Sequence, residues 1–286
     1  MRIACVQLDS QLGQFETNVA NVDRLLRRRR DQLADLDLLV LPELAFIGYC
    51  YRDRAEIEPF AERRQDGPTI EWMRHTAIRL DCSVACGFVE KDGLLLHNAM
   101  AVVHRSGELV HVHRKHFLFH MDEPWATAGP GFASRVLPDL GPTSFAICMD
   151  LNPKGFVAPF EAYEFASSLY DPPLQEGEKP TTHRLSANLV IASNAWLRSA
   201  AEEPISDEER SLSLMNYWAT RLLPVIDRNV ILALANRTGI ERGTTFAGTS
   251  CVIDMGRRQI LGNLGPTGED VLVVDTNTQP EDFEAL

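Results

Sequence analysis

Apolar residues in this chain gather in short runs, and the polar stretches between them carry apolar residues at helical spacing. Residues 2–8 and 37–41 are mostly apolar, as expected of strands buried on both faces. Between them, Val19, Val22, Leu25, Leu26 and Leu33 recur on one face and predict a helix over 16–36. A helix over 69–80 and a strand over 83–89 follow. Residues 95–104 and 108–113 then read as a hairpin-like pair joined by Arg105-Ser-Gly107. Beyond a turn-rich Gly129-Pro-Gly131, the run at 144–147 predicts a short buried strand. A helix over 158–169, a strand over 189–193, a helix over 212–227 and a strand over 230–235 come next. The stretches 245–254, 259–264 and 270–274 close the chain as meander-like strands. Pro172, Pro173, Gly177 and Pro180 make 171–182 an exposed loop, and acid-rich 200–209 a surface loop or frayed helix start. Strand–helix alternation interrupted by hairpins predicts an α/β fold with mixed sheets. No linker or repeat divides the sequence, so residues 1–286 are expected to form one domain.

Composition narrows the partners. A hydrophobic share of 45% over 286 residues can bury a substantial core. A formal charge of −12 argues against nucleic acid or an anionic membrane as partner. The basic run Arg27 to Arg30 falls inside a helical pattern and reads as a solvated face. The first residues lack the apolar centre and cleavage site of a signal peptide, and no stretch approaches a membrane span of about 20 apolar residues. Six scattered cysteines (5, 50, 82, 86, 148 and 251) read as reduced thiols, which predicts a cytoplasmic or otherwise reducing compartment.

Three polar residues follow predicted strands: Glu43 after Leu38-Leu-Val-Leu-Pro42, Lys115 after Val110-His-Val-His-Arg114, and Cys148 after Ser144-Phe-Ala-Ile147. Open α/β sheets bind ligands at the carboxyl ends of their strands, so these side chains can converge. A carboxylate beside a thiol can take its proton. A lysine ammonium lowers the thiol pKa and can hold an oxyanion. That combination suits acyl transfer to sulfur followed by attack of water. Taken singly, each residue has a plainer reading: Cys148 as a small buried hydrophobe, Glu43 as a helix cap, Lys115 as a surface lysine.

Leu41-Pro-Glu-Leu-Ala-Phe-Ile-Gly-Tyr49, His113-Arg-Lys-His-Phe-Leu-Phe119 and Phe145-Ala-Ile-Cys-Met-Asp150 resemble the three catalytic blocks of the nitrilase (carbon–nitrogen hydrolase) superfamily. Asn236-Arg-Thr-Gly-Ile-Glu241 and Thr245-Phe-Ala-Gly-Thr-Ser250 resemble two later blocks. The resemblance implies a four-layer αββα sandwich of two mixed β-sheets flanked by helices. It also implies Glu43 as general base, Lys115 as oxyanion stabiliser, Cys148 as nucleophile and the Met149 N–H as a second oxyanion donor. A further glutamate common in the family falls on Glu123, which would orient Lys115 or bind substrate. No cofactor is implied. Members often pair through their sandwiches, which makes a homodimer one expected assembly.

A narrower resemblance lies in Cys148-Met-Asp-Leu-Asn-Pro153, Ala158-Pro-Phe-Glu-Ala-Tyr-Glu-Phe165 and Met121-Asp-Glu-Pro-Trp125. These are similar to the branch that deamidates N-terminal Asn or Gln of proteins in the N-degron pathway. A substrate with a free α-ammonium calls for an acid near its amide. Asp150 is the first candidate, with Asp122 or Glu123 in support, and Trp196 stands at a strand end where it could wall the pocket. The competing expectations are an amidase for a free small amide or an N-carbamoyl compound, and a non-catalytic module that binds free N-termini. His111, His113, His116 and His120 have ligand-like spacings, but nearby carboxylates and thiolates are missing and no metal is expected. Cys82 and Cys86, four apart, read as a reduced buried pair rather than a redox couple.

Overall fold

The computed structural model describes residues 1–170, 187–199 and 205–278. The loop expected at 171–182 and the first half of the 200–209 stretch lie outside the described residues. Five strands occupy the first part of the chain: β1 (Arg2–Gln7), β2 (Leu38–Val40), β3 (Ser83–Asp92), β4 (Leu95–Val103) and β5 (Leu109–Arg114). Then come β6 (Ser134–Leu137), β7 (Gly141–Ile147), β8 (Leu189–Asn194) and β9 (Ile231–Asn236). The last are β10 (Ile240–Glu241), β11 (Thr244–Thr245), β12 (Cys251–Asp254), β13 (Gln259–Asn263) and β14 (Asp270–Asp275). Helices α1 (Phe15–Arg28), α2 (Arg54–Ile57), α3 (Pro68–Leu80), α4 (Glu164–Ser168) and α5 (Asp207–Arg221) connect them.

The strands form two six-stranded mixed sheets, ordered β14-β1-β2-β3-β4-β5 and β13-β12-β9-β8-β7-β6. Their inner faces meet directly. Ile3, Cys5, Val40, Ala85 and Met100 of the first sheet pack against Phe145, Ile147, Ile191 and Ala235 of the second. The alternate residues of the same strands face helices. Ala4 and Val6 lie under Val22 and Leu26 of α1 and Met73 of α3, while Ala146, Val190 and Leu232 lie under Met215 and Trp218 of α5. Each central strand is thus buried on both faces, which is why its sequence reads as an unbroken apolar run rather than an alternation. The result is the expected αββα sandwich.

Helix lengths depart from the periodicity. The first helix stops at Arg28, and the expected continuation is a short 3-10 turn over Arg30–Gln32. The expected 158–169 helix is reduced to α4, because Tyr163 sits in the left-handed region (φ 46°) and breaks the run. The last helix begins earlier than its apolar stripe, at Asp207. The Ser206 hydroxyl accepts from the Glu209 N–H, and the Glu209 carboxylate accepts from the Ser206 N–H. That reciprocal cap makes the acids at 207–209 a first helical turn, where they also complement the helix dipole. Pro224 lies just beyond its end.

Topology brings three chain segments to one end of the sandwich. Strands β1, β2 and β3 are parallel, and β5, antiparallel to an antiparallel neighbour, ends on the same side as β3. In the second sheet β7, β8 and β9 are parallel. Hydrogen bonds tie the sheets at that end, among them Ser193 Oγ to Leu41 O at 2.8 Å and Ala195 N–H to Glu43 Oε2 at 2.8 Å. Among the described residues, no helix is long and apolar enough to cross a membrane.

Candidate active site

Glu43 leaves β2 on a segment that continues alongside β3 through Gly87 N–H to Pro42 O (3.2 Å) and Ala45 N–H to Gly87 O (3.2 Å). A Cβ on Gly87 would lie 2.6 Å from the Glu43 Cα and the Leu44 N, so glycine alone permits this approach. The Glu43 side chain is wholly buried. Its Oε1 accepts from Lys115 Nζ (2.7 Å) and Asn98 Nδ2 (2.7 Å), and its Oε2 from the Ala195 N–H. Burial pushes the carboxyl above its ordinary 4.5; the Lys115 ammonium pulls it back, and the nearby Asp122 charge pushes it up again. A base raised in this way is better matched to a thiol proton than an ordinary carboxylate is.

Lys115 sits one residue past β5, with its N–H on Asn98 O (2.8 Å) and its carbonyl accepting from Gly129 (2.7 Å). The ammonium is fully buried between Glu43 and Asp122 Oδ2 (2.6 Å), and lies 5.6 Å from the centre of the Tyr49 ring. Burial works to lower its pKa, but the Asp122 and Glu43 carboxylates outweigh it and hold the ammonium above its ordinary 10.5. An ammonium has three donors, of which two are engaged here.

Asp122 is the second acid of this cluster. It accepts from Tyr49 Oη (3.1 Å), Asn98 Nδ2 (3.1 Å) and the Phe119 N–H (3.0 Å), and it is completely buried. The expectation for Glu123 is corrected: its side chain is solvent-exposed and lies outside the cluster. The loop turns through Asp122, whose carbonyl accepts from Trp125 and Ala126, so the position one residue later faces outward.

Cys148 follows β7 directly, opening a 3-10 turn over Cys148–Leu151. Its φ of 43° is left-handed, an unfavourable conformation for a non-glycine residue and one common at functional turns. The Cys148 N–H donates to Asn194 Oδ1 at 3.0 Å. The side chain is 8% exposed, more than any of the other five free cysteines. Burial pushes the thiol well above its ordinary 9.0, the Glu43 carboxylate adds to this, and Lys115 acts against it. Glu43 and Lys115 thus act on the sulfur in opposite electrostatic senses.

A cavity of about 580 Å³ opens beside it. Cys148, Met149, Phe119, Trp196, Tyr217 and Arg210 contribute to its wall. Trp196 packs edge-on against Tyr217 (5.7 Å between ring centres) and Trp218 (5.6 Å). Asp150, expected to read a charged amine, is corrected: it is completely buried, absent from this wall, and bonded to Ile147, His113, His116 and Phe117. The clustered histidines are used in packing and hydrogen bonding. His111 and His113 lie over Phe145, His116 Nδ1 bonds to Gly129 O (3.0 Å), and His120 packs on Phe119. Asn98, Tyr49 and Asn194 were not singled out by the sequence reading. Their signal was available: each is a polar group inside or beside an apolar run, where burial demands a partner.

The carbon–nitrogen hydrolase family profile matches residues 2–152. The protein N-terminal amidase of Schizosaccharomyces pombe is 34% identical over 284 residues, covering 96% of this chain and 98% of that protein. The protein N-terminal amidase of Saccharomyces cerevisiae is 25% identical over 276 residues, covering 89% of this chain and 54% of that one. A crystal structure of N-terminal amidase with an Asn-Glu-Ala peptide superposes with a TM-score of 0.81 at 20% identity, covering 96% of each chain.

Proposed function

The chain belongs to the carbon–nitrogen hydrolase family and hydrolyses amide C–N bonds, and on that premise we propose that its substrates are N-terminal Asn or Gln side-chain carboxamides of proteins and peptides. The observation that carries this reading is the Glu43–Lys115–Asp122 cluster beside Cys148 at a roomy aromatic cavity, in a chain related over 96% of its length to an N-terminal amidase. Glu43 takes the thiol proton as the Cys148 sulfur attacks the carboxamide carbon. The oxyanion is held by the third Lys115 donor and by the N–H of Met149, one of the first donors of the turn, which have no partner within it. The intermediate collapses with ammonia leaving, protonated by Glu43. Water, deprotonated by Glu43, then attacks the thioester; the sulfur leaves and regains its proton, and the product is N-terminal Asp or Glu. Such a product would feed the N-degron pathway, and the setting would be cytoplasmic. A single domain over 1–286 is the corresponding reading of the chain, with a homodimer as its assembly.

With Asp150 turned away, the substrate α-ammonium needs another partner. Among the described residues the cavity wall carries no carboxylate, and we infer that its aromatic residues Trp196, Tyr217 and Phe119 supply cation–π attraction instead. Such a contact is worth about 0.5–2 kcal/mol. Trp196→Leu should therefore raise KM for free-amine peptides by about 2- to 30-fold with kcat little changed. Steady-state kinetics on one Asn peptide would read this directly, and a fall in kcat with KM unaltered would remove Trp196 from substrate binding.

One observation favours a second reading. Arg210 lines the cavity, and a guanidinium there suits the carboxylate of a free small amide. Ammonia release from short peptides differing only in residue one and in N-terminal acetylation, run beside 2-oxo-dicarboxylate monoamides, separates the two. Turnover confined to free-amine Asn and Gln peptides supports the N-terminal reading. Equal turnover of acetylated peptides, or preference for the oxo acids, would replace it with the small-amide reading.

A further inference from the structure

Two loops carry the proposed nucleophile and cation, and they belong to different sheets. Cys148 follows β7 in the second sheet and Lys115 follows β5 in the first. One buried carboxylate spans the gap. Asp150 Oδ1 accepts from the N–H groups of His116 (3.0 Å) and Phe117 (2.8 Å), the two residues after Lys115. Asp150 Oδ2 accepts from the N–H of Ile147 (2.9 Å), the residue before Cys148, and from His113 Nε2 (3.2 Å), two residues before Lys115. The 3-10 turn over Cys148–Leu151 aims the side chain back this way, since a side chain three residues beyond Ile147 can reach the Ile147 N–H.

We propose that Asp150 is the positioning residue that fixes the Cys148 elbow against the end of the Lys115 strand. The inference rests on reading Cys148 as nucleophile and Lys115 as its cationic partner. Glu43 has its own brace to the second sheet through Ala195, and the Cys148 N–H has Asn194. The Lys115 loop is held to the elbow by Asp150. Hydrogen bonds to a charged acceptor are about twice as strong as neutral ones, and a carboxylate with four donors has little freedom to move. A displacement of about 1 Å between reacting groups can cost on the order of 10²-fold in rate.

The test compares Asp150→Asn and His113→Phe with wild type. Asparagine keeps one acceptor oxygen and turns an amide NH2, a donor, toward N–H groups on the other side, so one half of the bridge breaks. His113→Phe keeps a ring over Phe145 and removes one donor, leaving the backbone bonds in place. The expected result is a kcat lower by about 10²-fold in Asp150→Asn. His113→Phe should lose a smaller factor, with KM for an Asn peptide within about threefold in both.

A second readout needs no amide substrate: the rate at which iodoacetamide alkylates Cys148, read by peptide mass spectrometry across pH. Loss of positioning moves Lys115 off the sulfur and slows alkylation. A general loosening of the fold would expose the thiol and speed it, and loss of a negative charge alone would also speed it. Slower alkylation in Asp150→Asn, graded through His113→Phe, supports the proposal. Unchanged or faster alkylation, a kcat within twofold of wild type in both variants, or a raised KM with kcat preserved, overturns it. If Asp150→Asn does not fold, His113→Phe decides by the same two readouts. Failure of the wild type to deamidate any peptide would instead defeat the substrate reading, and alkylation would still decide the role of Asp150.

Discussion

Cys148→Ala should eliminate ammonia release from an N-terminal Asn or Gln peptide, a fall on the order of 10⁴-fold or more, while the folded structure persists. The reasons for the size of the effect and for the tolerance of the fold are separate. Without sulfur no thioester forms, and water would have to attack an unactivated amide with only Glu43 and Lys115 in support. Cys148→Ser gives nearly the same loss, because a hydroxyl is a far weaker acid than a thiol and Glu43 cannot take its proton as readily. The fold loses little: the side chain is small and its backbone N–H keeps its bond to Asn194. A stability change of about 1–2 kcal/mol is the expectation for such a truncation. Circular dichroism establishes that the variant is folded. Intact-mass spectrometry of the wild type with a slow substrate should show the acyl adduct, absent from the alanine variant. Near-wild-type ammonia release by the folded Cys148→Ala protein would end the thioester mechanism.

Features set by composition are legible in the sequence, and features set by a single backbone conformation are not. The central strands were readable because they are buried on both faces, so that their composition alone marks them. Helix ends were not, because they depend on single backbone conformations. Tyr163 in the left-handed region shortens one helix, and Ser206 with Glu209 lengthens another. The edge strand β6 went unread, since Arg135 and Val136 are exposed and its sequence lacks a buried run.

The same division runs through the site. Lys115 and Cys148 stand directly after β5 and β7 and Glu43 three residues after β2, and strand direction brings them to one end whatever the connecting loops do. Asp122 and Glu123 differ by one position in a loop, and only the turn from Phe119 to Ala126 decides which faces Lys115. Proximity in sequence also misleads at Asp150. Standing two residues from Cys148 suggests contact with substrate, yet a 3-10 turn carries that side chain back toward the Ile147 N–H. The distinguishing clue is local: an acid at the third position of a turn that follows a strand is suited to capping it.

Lys115→Met carries the second large effect, and its pH dependence distinguishes an electrostatic role from a merely steric one. In the native protein the ammonium lies 2.7 Å from Glu43 and 2.6 Å from Asp122, all three groups being fully buried. Breaking a buried ion pair by removing one partner costs about 3–5 kcal/mol, since the remaining charge is left uncompensated. Activity should fall by about 10³-fold, through loss of an oxyanion donor and disorder of the base. The stability cost depends on pH through Glu43. Burial already holds that carboxyl above 4.5, and without the ammonium's opposing pull it rises further. A carboxyl whose pKa is higher folded than unfolded binds more protons in the folded state. The stability it confers is complete below about 4.5, its unfolded value, and is lost as pH rises through the folded one. Lys115 itself, held above 10.5, contributes evenly across this window and does not tilt it. The gap in melting temperature between wild type and variant should therefore be small near pH 4.5 and widen toward pH 7. Thermal melts at several pH values, paired with ammonia release at each, measure both parts. A gap that stays constant across pH, or activity within tenfold of wild type, would mean that Lys115 fills space beside Glu43 without governing its charge.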